Sequence, residues 1–372
     1  MSKLTKYKFS DLYEMSSGIS SSKQQAGHGS PFISFSTVFN NYFLPEELPD
    51  LMDTSLKEQE IFSVKKDDVF ITRTSETVDA LAMSCVAVKD YPKATFSGFV
   101  KRLRPKTTGI VYSKYIAFFL RSKYFRKVLD CNTIMTLRAS FNEDMFSFLY
   151  LYLPDYEEQV RIGDLLYKME MKIRTNNKIN DNLSAMAYDI YMHNFFSKKP
   201  NAKLKDILTE AEKSAIQVGE AKTSNGEYPF FTSGATILKW NEPFVDGRNC
   251  FLNTGGNADV KFYVGKAAYS TDTWSISAKS EMSDYLYLML FSIKPELDQK
   301  FFQGTGLKHL QKPLLKDRPI YVPEKLELEA FNRQVMPMFD IISENTRENQ
   351  QLTSLRDWLL PMLMNGQATI SD

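Results

Sequence analysis

The fold is decided by the segment LYLPDYEEQVRIGDLLYKMEMKIRTNNKINDNL, from Leu151 to Leu183, because it returns without a gap as IYVPEKLELEAFNRQVMPMFDIISENTRENQQL, from Ile320 to Leu352. An offset of 169 residues aligns the two copies from about Thr136 to Ile190 and from about Thr305 to Leu359. Identical residues stand at many matched positions: Tyr152 and Tyr321, Pro154 and Pro323, Glu158 and Glu327, Met169 and Met338, Asn176 and Asn345, Asn180 and Asn349, Leu183 and Leu352. A repeat of this length predicts two structural units of one design.

Upstream of the repeated segment the two copies differ in length. Lys8–Leu12 resembles Lys203–Ile207 at an offset of 195, so the first copy carries about 26 more residues (195 − 169). Each copy has the pattern of a globular domain of mixed strands and helices, an exit strand that ends at Pro154 or Pro323, and a long helix. We therefore expect an α+β fold of two tandem mixed α/β domains, with residues 1–153 and 200–323 as the domains and 154–199 and 324–372 as the helices.

Local patterns predict elements inside the two globular domains. Alternating or continuous β-branched and aromatic residues favour strands over Ile61–Ile71 and Ala258–Ser270. Helical patterns follow late in each domain, over Ser113–Leu129 and Ser283–Ile293. Each of these helical stretches begins with a serine, whose hydroxyl can cap the exposed N–H groups of a helix.

The long helices carry an apolar repeat of seven residues. Asp155 and Glu158 have the spacing of an N-terminal capping box, and the helical pattern then continues to about Phe196, a length of roughly 60 Å at 1.5 Å per residue. A seven-residue apolar seam is what one helix needs to pack along another, so we expect the two helices to pair as an antiparallel coiled coil. The seam residues are Ile162, Met169, Asn176, Leu183 and Ile190 with a second set of Leu165, Ile179 and Met186, and in the other copy Phe331, Met338, Asn345, Leu352 and Leu359 with Ile341, Leu355 and Met362.

Two asparagines occupy the same seam position in the two helices. Burying the amide of Asn176 or Asn345 without a partner would cost on the order of 1 to 3 kcal/mol. The two amides could face one another and fix the register, or both could point partly to solvent, and the sequence leaves both arrangements open. Pro337 interrupts the second helical pattern, which predicts a kink or a late helix start there.

The formal net charge of +1 hides an uneven distribution. Lys and Arg minus Asp and Glu amount to +4 over residues 1–153 (20 − 16) and to −4 over residues 324–372 (4 − 8). Between Tyr91 and Leu129 the chain has ten basic residues and no acidic one. Such a run could form a patch that binds a phosphate backbone or a solvated face without a partner, and the run alone does not separate the two.

Metal binding, secretion and membrane insertion find no support in the sequence. Cys85, Cys131 and Cys250 lie far apart, without a CxxC pair or a neighbouring histidine at ligand spacing. The N-terminus has no apolar core of a signal peptide, and no apolar run approaches the roughly 18 residues of a membrane span. We expect a cytoplasmic protein without a metal site and without a membrane partner.

The rival interpretation is a catalytic methyltransferase or nuclease, whose motifs the sequence matches poorly. Asn241–Phe244 reads NEPF, which lacks the second proline of the NPPF/Y loop of amino-methyltransferases. Glu220 with Asp206 only weakly resembles a nuclease carboxylate set, and the three histidines form no ligand pair in sequence. Neither a phosphate-binding loop nor a Ser/His/Asp pattern is present, so the chain is expected to be non-catalytic.

Several junction strings resemble one known family. RASFNEDMFSFLYLYLPDYEEQVRIGDLL (Arg138–Leu166) resembles the passage from a target-recognition domain into the central helix of a type I restriction-modification specificity subunit, with that family's LP, EEQ and RI pattern. The second junction (Gly304–Pro323), the C-terminal stretch (Leu352–Gln367) and EYPFFTSGA (Glu227–Ala235) are similar to the same family. The second junction departs from the pattern, with Leu326–Glu329 in place of EEQ.

The resemblance implies a non-catalytic DNA-reading subunit. Each target-recognition domain would read one half of an asymmetric bipartite site in double-stranded DNA. The helices would set the spacing and dock two methyltransferase subunits, to which restriction subunits attach. No cofactor is expected on this chain, because methyl donor, ATP and Mg would belong to the partners. Two alternatives stay open: a coiled-coil adaptor that binds protein partners, and a specificity subunit of a methyltransferase-only complex.

Candidate DNA contacts lie in polar, glycine-rich corners and in the basic run. Glycine lets the backbone approach closely, and Ser, Thr, Asn, Lys and Arg contact phosphates and base edges, although ordinary hairpin turns have the same composition. TRTSE (Thr72–Glu76) stands where the second domain has NTGGN (Asn253–Asn257). The candidates are Arg73, Thr74, Lys101, Arg102, Arg104 and Arg138 in the first domain, and Thr232, Ser233, Gly234, Asn253, Thr254, Gly255, Gly256, Thr271 and Lys308 in the second.

Overall fold

The structure, a computed structural model, describes residues 3–75, 81–132, 139–304 and 306–370. The chain folds into two compact units. The first unit consists of residues 1–171 and 352–372, and the second of residues 172–351. Both boundaries fall inside the long helices. Each unit therefore contains one globular domain together with part of each helix.

The first unit is built on a four-stranded antiparallel sheet in the order β2-β9-β5-β7 and a three-stranded sheet in the order β4-β3-β8, of which β3 and β8 are parallel. Two short pairs, β1 with β11 and β6 with β10, complete it. The strands are β1 Thr5–Lys8, β2 Tyr13–Ser17, β3 Ala26–Ile33, β4 Asp50–Met52, β5 Val69–Thr72, β6 Thr74–Ser75, β7 Ser84–Val86, β8 Thr95–Phe96, β9 Val100–Pro105, β10 Ala139–Ser140 and β11 Tyr150–Leu153. The helices are α1 Phe9–Leu12, α2 Phe35–Asn40, α3 Leu56–Ile61, α4 Ser113–Phe119, α5 Lys123–Asn132, α6 Glu143–Phe148 and the long α7 Tyr156–Asn194.

The second unit repeats this design with fewer residues. Its sheets have the orders β13-β19-β16-β17 and β15-β14-β18, with short pairs of β12 with β22 and β20 with β21. The strands are β12 Ala202–Lys203, β13 Leu208–Glu210, β14 Tyr228–Phe231, β15 Leu238–Trp240, β16 Arg248–Asn253, β17 Val260–Val264, β18 Ala268–Tyr269, β19 Thr273–Ala278, β20 Phe302–Gln303, β21 His309–Leu310 and β22 Pro319–Ile320. The helices are α8 Leu204–Ile207, α9 Val218–Lys222, α10 Ser283–Ser292, α11 Lys294–Glu296, α12 Lys312–Lys316 and the long α13 Lys325–Met364. The expected α+β fold of two similar domains, each followed by a long helix, is confirmed.

Each hydrophobic core is completed by the start of one long helix and the end of the other. In the first unit, Ile162 of α7 and Leu360 and Met364 of α13 belong to one buried cluster. In the second unit, Tyr191 of α7, Phe195 just after its end and Phe331 of α13 take the corresponding places in one buried cluster. The repeat offset relates these residues pairwise, because 162 + 169 = 331, 191 + 169 = 360 and 195 + 169 = 364. The antiparallel pairing of the helices is thus the same in both units.

The seam asparagines are paired, but not with each other. The Asn176 side-chain amide donates to Oδ1 of Asn349 at 2.9 Å and to Glu348 Oε2 at 2.7 Å. Asn345 donates to Oδ1 of Asn180 at 2.8 Å. These two pairs are related by the repeat, since 176 and 180 become 345 and 349. Of the two arrangements that the sequence left open, the contact between Asn176 and Asn345 is therefore wrong, because an antiparallel crossing brings each of them opposite the second asparagine of the other helix. Exposure of both to solvent is also wrong, because Asn176 is buried.

Most of the second apolar row predicted for the seam faces outward, although Leu165 is partly buried against the core of the first unit. Ile179, Met186, Ile341 and Leu355 are each between 39% and 52% exposed. The row four residues after the first set lies in the interface instead, with Leu166 and Ala187 fully buried. Each helix has apolar residues at both spacings, and only one of the two rows can turn towards the partner helix.

The helix ends and Pro337 differ from the expectations. The Asp155 carboxylate accepts from the backbone N–H of Glu158 at 2.8 Å, but Glu158 pairs with Arg161 and leaves the capping box half complete. Helix α13 begins at Lys325 and continues through Pro337, so a late start there is wrong. Arg248 donates to the carbonyl of Met336 at 2.9 Å and thereby binds the turn that precedes the proline.

Four local predictions also need correction. Ile61 ends a helix, and β5 begins only at Val69, because a turn with Asp67 at φ 71° separates them. Ser113–Leu129 forms two helices, and the Arg121 side chain at the break donates to backbone carbonyls of other segments. Neither initial serine caps its helix, since Ser113 donates to Asp67 and Ser283 accepts from the Ala278 backbone N–H. The strand expected over Ala258–Ser270 is divided into β17 and β18.

Helix α7 approaches the start of α4 so closely that only glycine fits at position 163. A Cβ atom there would lie 2.7 Å from the Tyr115 nitrogen and 2.9 Å from a ring carbon of Tyr112. We expect Gly163→Ala to lower the free energy of unfolding by about 1 to 3 kcal/mol, as overpacking does. The matched control is Gly219→Ala in α9, where no atom of the described residues lies within 4 Å of the added carbon. Equal urea midpoints for the two variants would contradict this packing.

The crossed asparagines predict unequal costs for two equivalent substitutions. Asn176 is 1% exposed and donates two hydrogen bonds, whereas Asn345 is half-buried and donates one to Asn180. We expect Asn176→Ala to cost about 1 to 3 kcal/mol in urea denaturation and Asn345→Ala to cost less. A larger loss for Asn345→Ala would contradict the arrangement.

The same seam predicts a pH effect. The hydrogen bond from Asn176, followed by that from Lys172, lowers the pKa of Glu348 below its usual 4.5. A carboxylate with a lowered pKa in the folded state stabilises above its unfolded pKa, and this contribution is lost as the pH falls through the lowered value. Acid should therefore destabilise the Asn176→Ala variant less steeply than the wild type, measured as urea midpoints between neutral pH and the acid range.

Candidate nucleic-acid interface

Three loops of the second unit join into one surface, the second-unit loop cluster, formed by residues 232–234, 253–256 and 271–272. Asn253 donates from its side-chain amide to the carbonyl of Ser233 at 3.0 Å. The backbone N–H of Thr254 and the hydroxyl of Ser233 both donate to the carbonyl of Asp272, at 3.0 and 2.7 Å. The polar corners that the sequence singled out are therefore neighbours in space.

The segment around Lys308 borders this cluster. The N–H of Gly256, at φ 78°, donates to the Lys308 carbonyl at 3.0 Å, and Gly255 forms a bridge with His309. The ammonium group of Lys308 lies 2.9 Å from the Asp298 carboxylate. The backbone of Lys308 thus borders the cluster, and its ammonium group forms an ion pair with Asp298.

Not every candidate in the cluster faces solvent. Thr232 and Asn253 are buried, and their side chains hold loop backbone, with Thr232 Oγ1 accepting from the Gly234 N–H at 3.0 Å. The exposed or half-exposed candidates are Ser233, Gly234, Thr254, Gly255, Gly256 and Thr271. Two candidates therefore position the loops, and the others form the surface.

The first unit has an equivalent surface, the first-unit loop cluster, formed by residues 16–19, 73–75, 97–101 and 139–141. Arg73 is exposed, its N–H donates to the Phe99 carbonyl at 2.9 Å, and its carbonyl accepts from the Phe141 N–H at 2.8 Å. Thr254 of the second unit makes the same two bonds, to Asp272 and from Leu310. Arg73 and Thr254 are thus structurally equivalent, as the alignment of TRTSE with NTGGN implies.

Two cations lie close together in the first-unit loop cluster. The ammonium group of Lys101 donates to Ser17 Oγ at 2.8 Å. Burial, and then the positive charge of Arg73, lower the pKa of Lys101, while Glu143 acts in the opposite direction. Lys101 itself is only 7% exposed, so its prediction as a surface contact is wrong, and of these two cations only Arg73 is open to a phosphate group. An anion bound at Arg73 would still be stabilised by the nearby charge of Lys101.

Arg102 and Arg104 point into the domain and do not belong to this surface. Arg102 is buried, donates to the Ser63 carbonyl at 2.6 Å and lies 5.4 Å above the Phe96 ring. Arg104 forms a bidentate pair with the fully buried Asp68, at 2.7 and 2.6 Å, which raises the pKa of the guanidinium. Arg104 thereby stabilises the sheet, because a carboxylate as buried as Asp68 requires a charged partner.

The acid-free basic run does not form one patch. Arg121 and Arg126 donate to backbone carbonyls inside the first unit, among them those of Val38 and Leu81. Lys114 pairs with Asp164 at 2.8 Å. The acid and most of the carbonyls that bind these three residues come from distant parts of the sequence. Arg138, the remaining basic candidate, lies outside the described residues.

Sequence reasoning missed Phe99, which is 64% exposed between the buried strands β8 and β9. Its carbonyl accepts from the Arg73 N–H, so the phenyl ring stands in the first-unit loop cluster. The signal that could have found it is an aromatic residue at a turn, Ser97-Gly98-Phe99, where an apolar side chain has no core to enter.

Within the described parts of the chain, no group of three or more His, Cys, Asp or Glu side chains could hold a metal ion. Among the described helices, none is long and apolar enough to cross a membrane.

In comparisons with known proteins, the chain is similar to proteins of one kind. A family model described as the type I restriction modification DNA specificity domain matches residues 1–185 and 198–353. The HindI specificity subunit of Haemophilus influenzae is 22% identical over 437 residues, covering 90% of this chain and 94% of that protein. The MjaIX specificity subunit of Methanocaldococcus jannaschii is 20% identical over 334 residues, covering 77% and 76%. A crystal structure of the S subunit of a type I system from M. genitalium has the same fold, with a TM-score of 0.66, 13% identity and coverage of 97% and 96%.

Proposed function

Because the chain belongs to the family of type I restriction-modification DNA specificity subunits, we propose that its two domains read the two halves of an asymmetric, bipartite duplex site. The observation that carries the proposal is the pair of loop clusters. They occupy equivalent places in the two units and are held by equivalent backbone hydrogen bonds, yet they present different side chains. Arg73 stands opposite Thr254 in this comparison, and Phe99 opposite Asp272.

A backbone arrangement that both units share, with different side chains on it, suits the reading of two unlike half-sites. Contacts to phosphates position a protein on DNA, and side chains at base edges supply specificity. In the first unit, the exposed Arg73 would meet the phosphate backbone with Thr74 beside it, and the buried Lys101 would add its charge without direct contact. In the second unit, the exposed N–H groups and hydroxyls of the loop cluster would contact the DNA instead, and the backbone at Gly234 and Gly256 could approach it closely.

The outward apolar row of the helices supports a docking role. Met186 and Leu355 stand at matched repeat positions and are 52% and 43% exposed. Because the same apolar position is exposed in both helices, the helices would dock two methyltransferase subunits in equivalent ways. Restriction subunits would attach to these, and methyl donor, ATP and Mg would be bound by the partners. The chain itself would contribute recognition and spacing without catalysis, and the same role holds in a methyltransferase-only complex.

The proposal is tested by the salt dependence of DNA binding. The full chain, in complex with its methyltransferase subunit, should bind a duplex carrying the split site far more tightly than an unrelated duplex. Arg73→Ala should weaken binding to all duplexes and reduce the slope of log affinity against log salt by about 1, as loss of one phosphate contact does. The matched control is Arg333→Ala, an exposed arginine of α13.

Two outcomes would count against the proposal. Equal binding of split-site and unrelated duplexes by the wild type would refute the reading function. An unchanged affinity and salt slope for Arg73→Ala, with intact discrimination, would instead remove the first-unit loop cluster from the DNA contact.

A further inference from the structure

The turns Ser97–Phe99 and Ser270–Asp272 are the same structural element in the two units. The N–H of Ser97 donates to the Ile33 carbonyl at 3.0 Å, and that of Ser270 to the Phe231 carbonyl at 2.9 Å. The next N–H groups, of Gly98 and Thr271, donate to the carbonyls of Ile19 and Ile216 at 2.7 and 2.9 Å. The third residue of each turn therefore occupies one and the same backbone position.

The two side chains at this third position have opposite chemistry. Phe99 presents an apolar ring that is 64% exposed, and Asp272 presents an exposed carboxylate. Single apolar residues on a surface are common. What distinguishes Phe99 is its place, because its carbonyl is hydrogen-bonded to the exposed Arg73, whose charge acts on Lys101.

A base edge in the major groove offers partners for both side chains. The C5 methyl group of thymine is the apolar feature of that groove, and phenylalanine can contact it. The N4 amine of cytosine is a donor there, and a carboxylate accepts from it. A protein surface would also accept Phe99, but the two neighbouring cations favour a polyanion as the occupant.

We propose that Phe99 and Asp272 are specificity-determining residues at equivalent positions of the two half-sites. Phe99 contacts the methyl group of a thymine in the first half-site, and Asp272 accepts a hydrogen bond from a cytosine amine in the second. This inference rests on the proposed function, since it names the bases that the two loop clusters select.

The test begins with selection from duplexes in which both half-sites are randomised, using the full chain in complex with its methyltransferase subunit. The wild type should select a thymine in one half-site that Phe99→Ala no longer requires. It should select a cytosine in the other half-site that Asp272→Ala no longer requires, with discrimination falling about tenfold at that position. Each variant should leave the other half-site unchanged. Phe148→Ala, at a residue 74% exposed in the first unit, is the matched control and should change neither half-site.

A second measurement tests directly whether the phenyl ring of Phe99 contacts the thymine methyl group. Replacing the selected thymine by deoxyuridine removes only the methyl, and should weaken wild-type binding about fourfold, as loss of one buried methyl does. The same replacement should have no effect on Phe99→Ala, and should keep its effect on Phe99→Leu, which retains an apolar side chain.

The outcomes separate the inference from the proposed function. If the wild type selects a split site but neither variant alters the preference at any position, the assignment of Phe99 and Asp272 is wrong and the reading function stands. A uniform loss of affinity for every duplex would also overturn the assignment. If the wild type selects no split site, the proposed function itself fails.

Discussion

The antiparallel pairing of α7 and α13 is the constraint on which both units depend. Neither globular domain has a complete core by itself, because each is closed by the beginning of one helix and the end of the other. In the second unit the crossed amides pair Asn176 with Asn349 and Asn345 with Asn180, and we propose that these pairs fix the register of the helices. A buried amide without its partner costs more than a mispacked methyl group, so a shift along the seam is penalised.

Because the paired helices hold both units in the same way, the loops of the two domains can differ in sequence. Length and charge vary in the globular domains, whereas the helices repeat almost position for position. The backbone hydrogen bonds of the two loop clusters are the same, and the side chains that they present are not. Recognition of two unlike half-sites would require such side-chain differences on an equivalent backbone. Partner subunits that dock on the repeated helices would not contact the side chains that differ.

Features that depend on local sequence could be predicted, and those that depend on distant partners could not. The repeat predicted two similar units, and the heptads predicted the first seam row. The second row was misassigned because Leu165 and Leu166 are both apolar and only packing decides which one is buried. Arg104 was predicted as a DNA contact because its partner, Asp68, lies in a distant turn just before β5. Phe99 escaped notice because exposure is a property of the folded chain.

The claim that two different readers share one frame has a direct test in the pattern of DNA methylation. Methylated bases can be mapped by sequencing the genome of cells that produce this chain with its methyltransferase subunit. The account predicts one asymmetric motif in two specified parts, separated by unspecified bases. A single uninterrupted motif, or two identical half-sites, would contradict it.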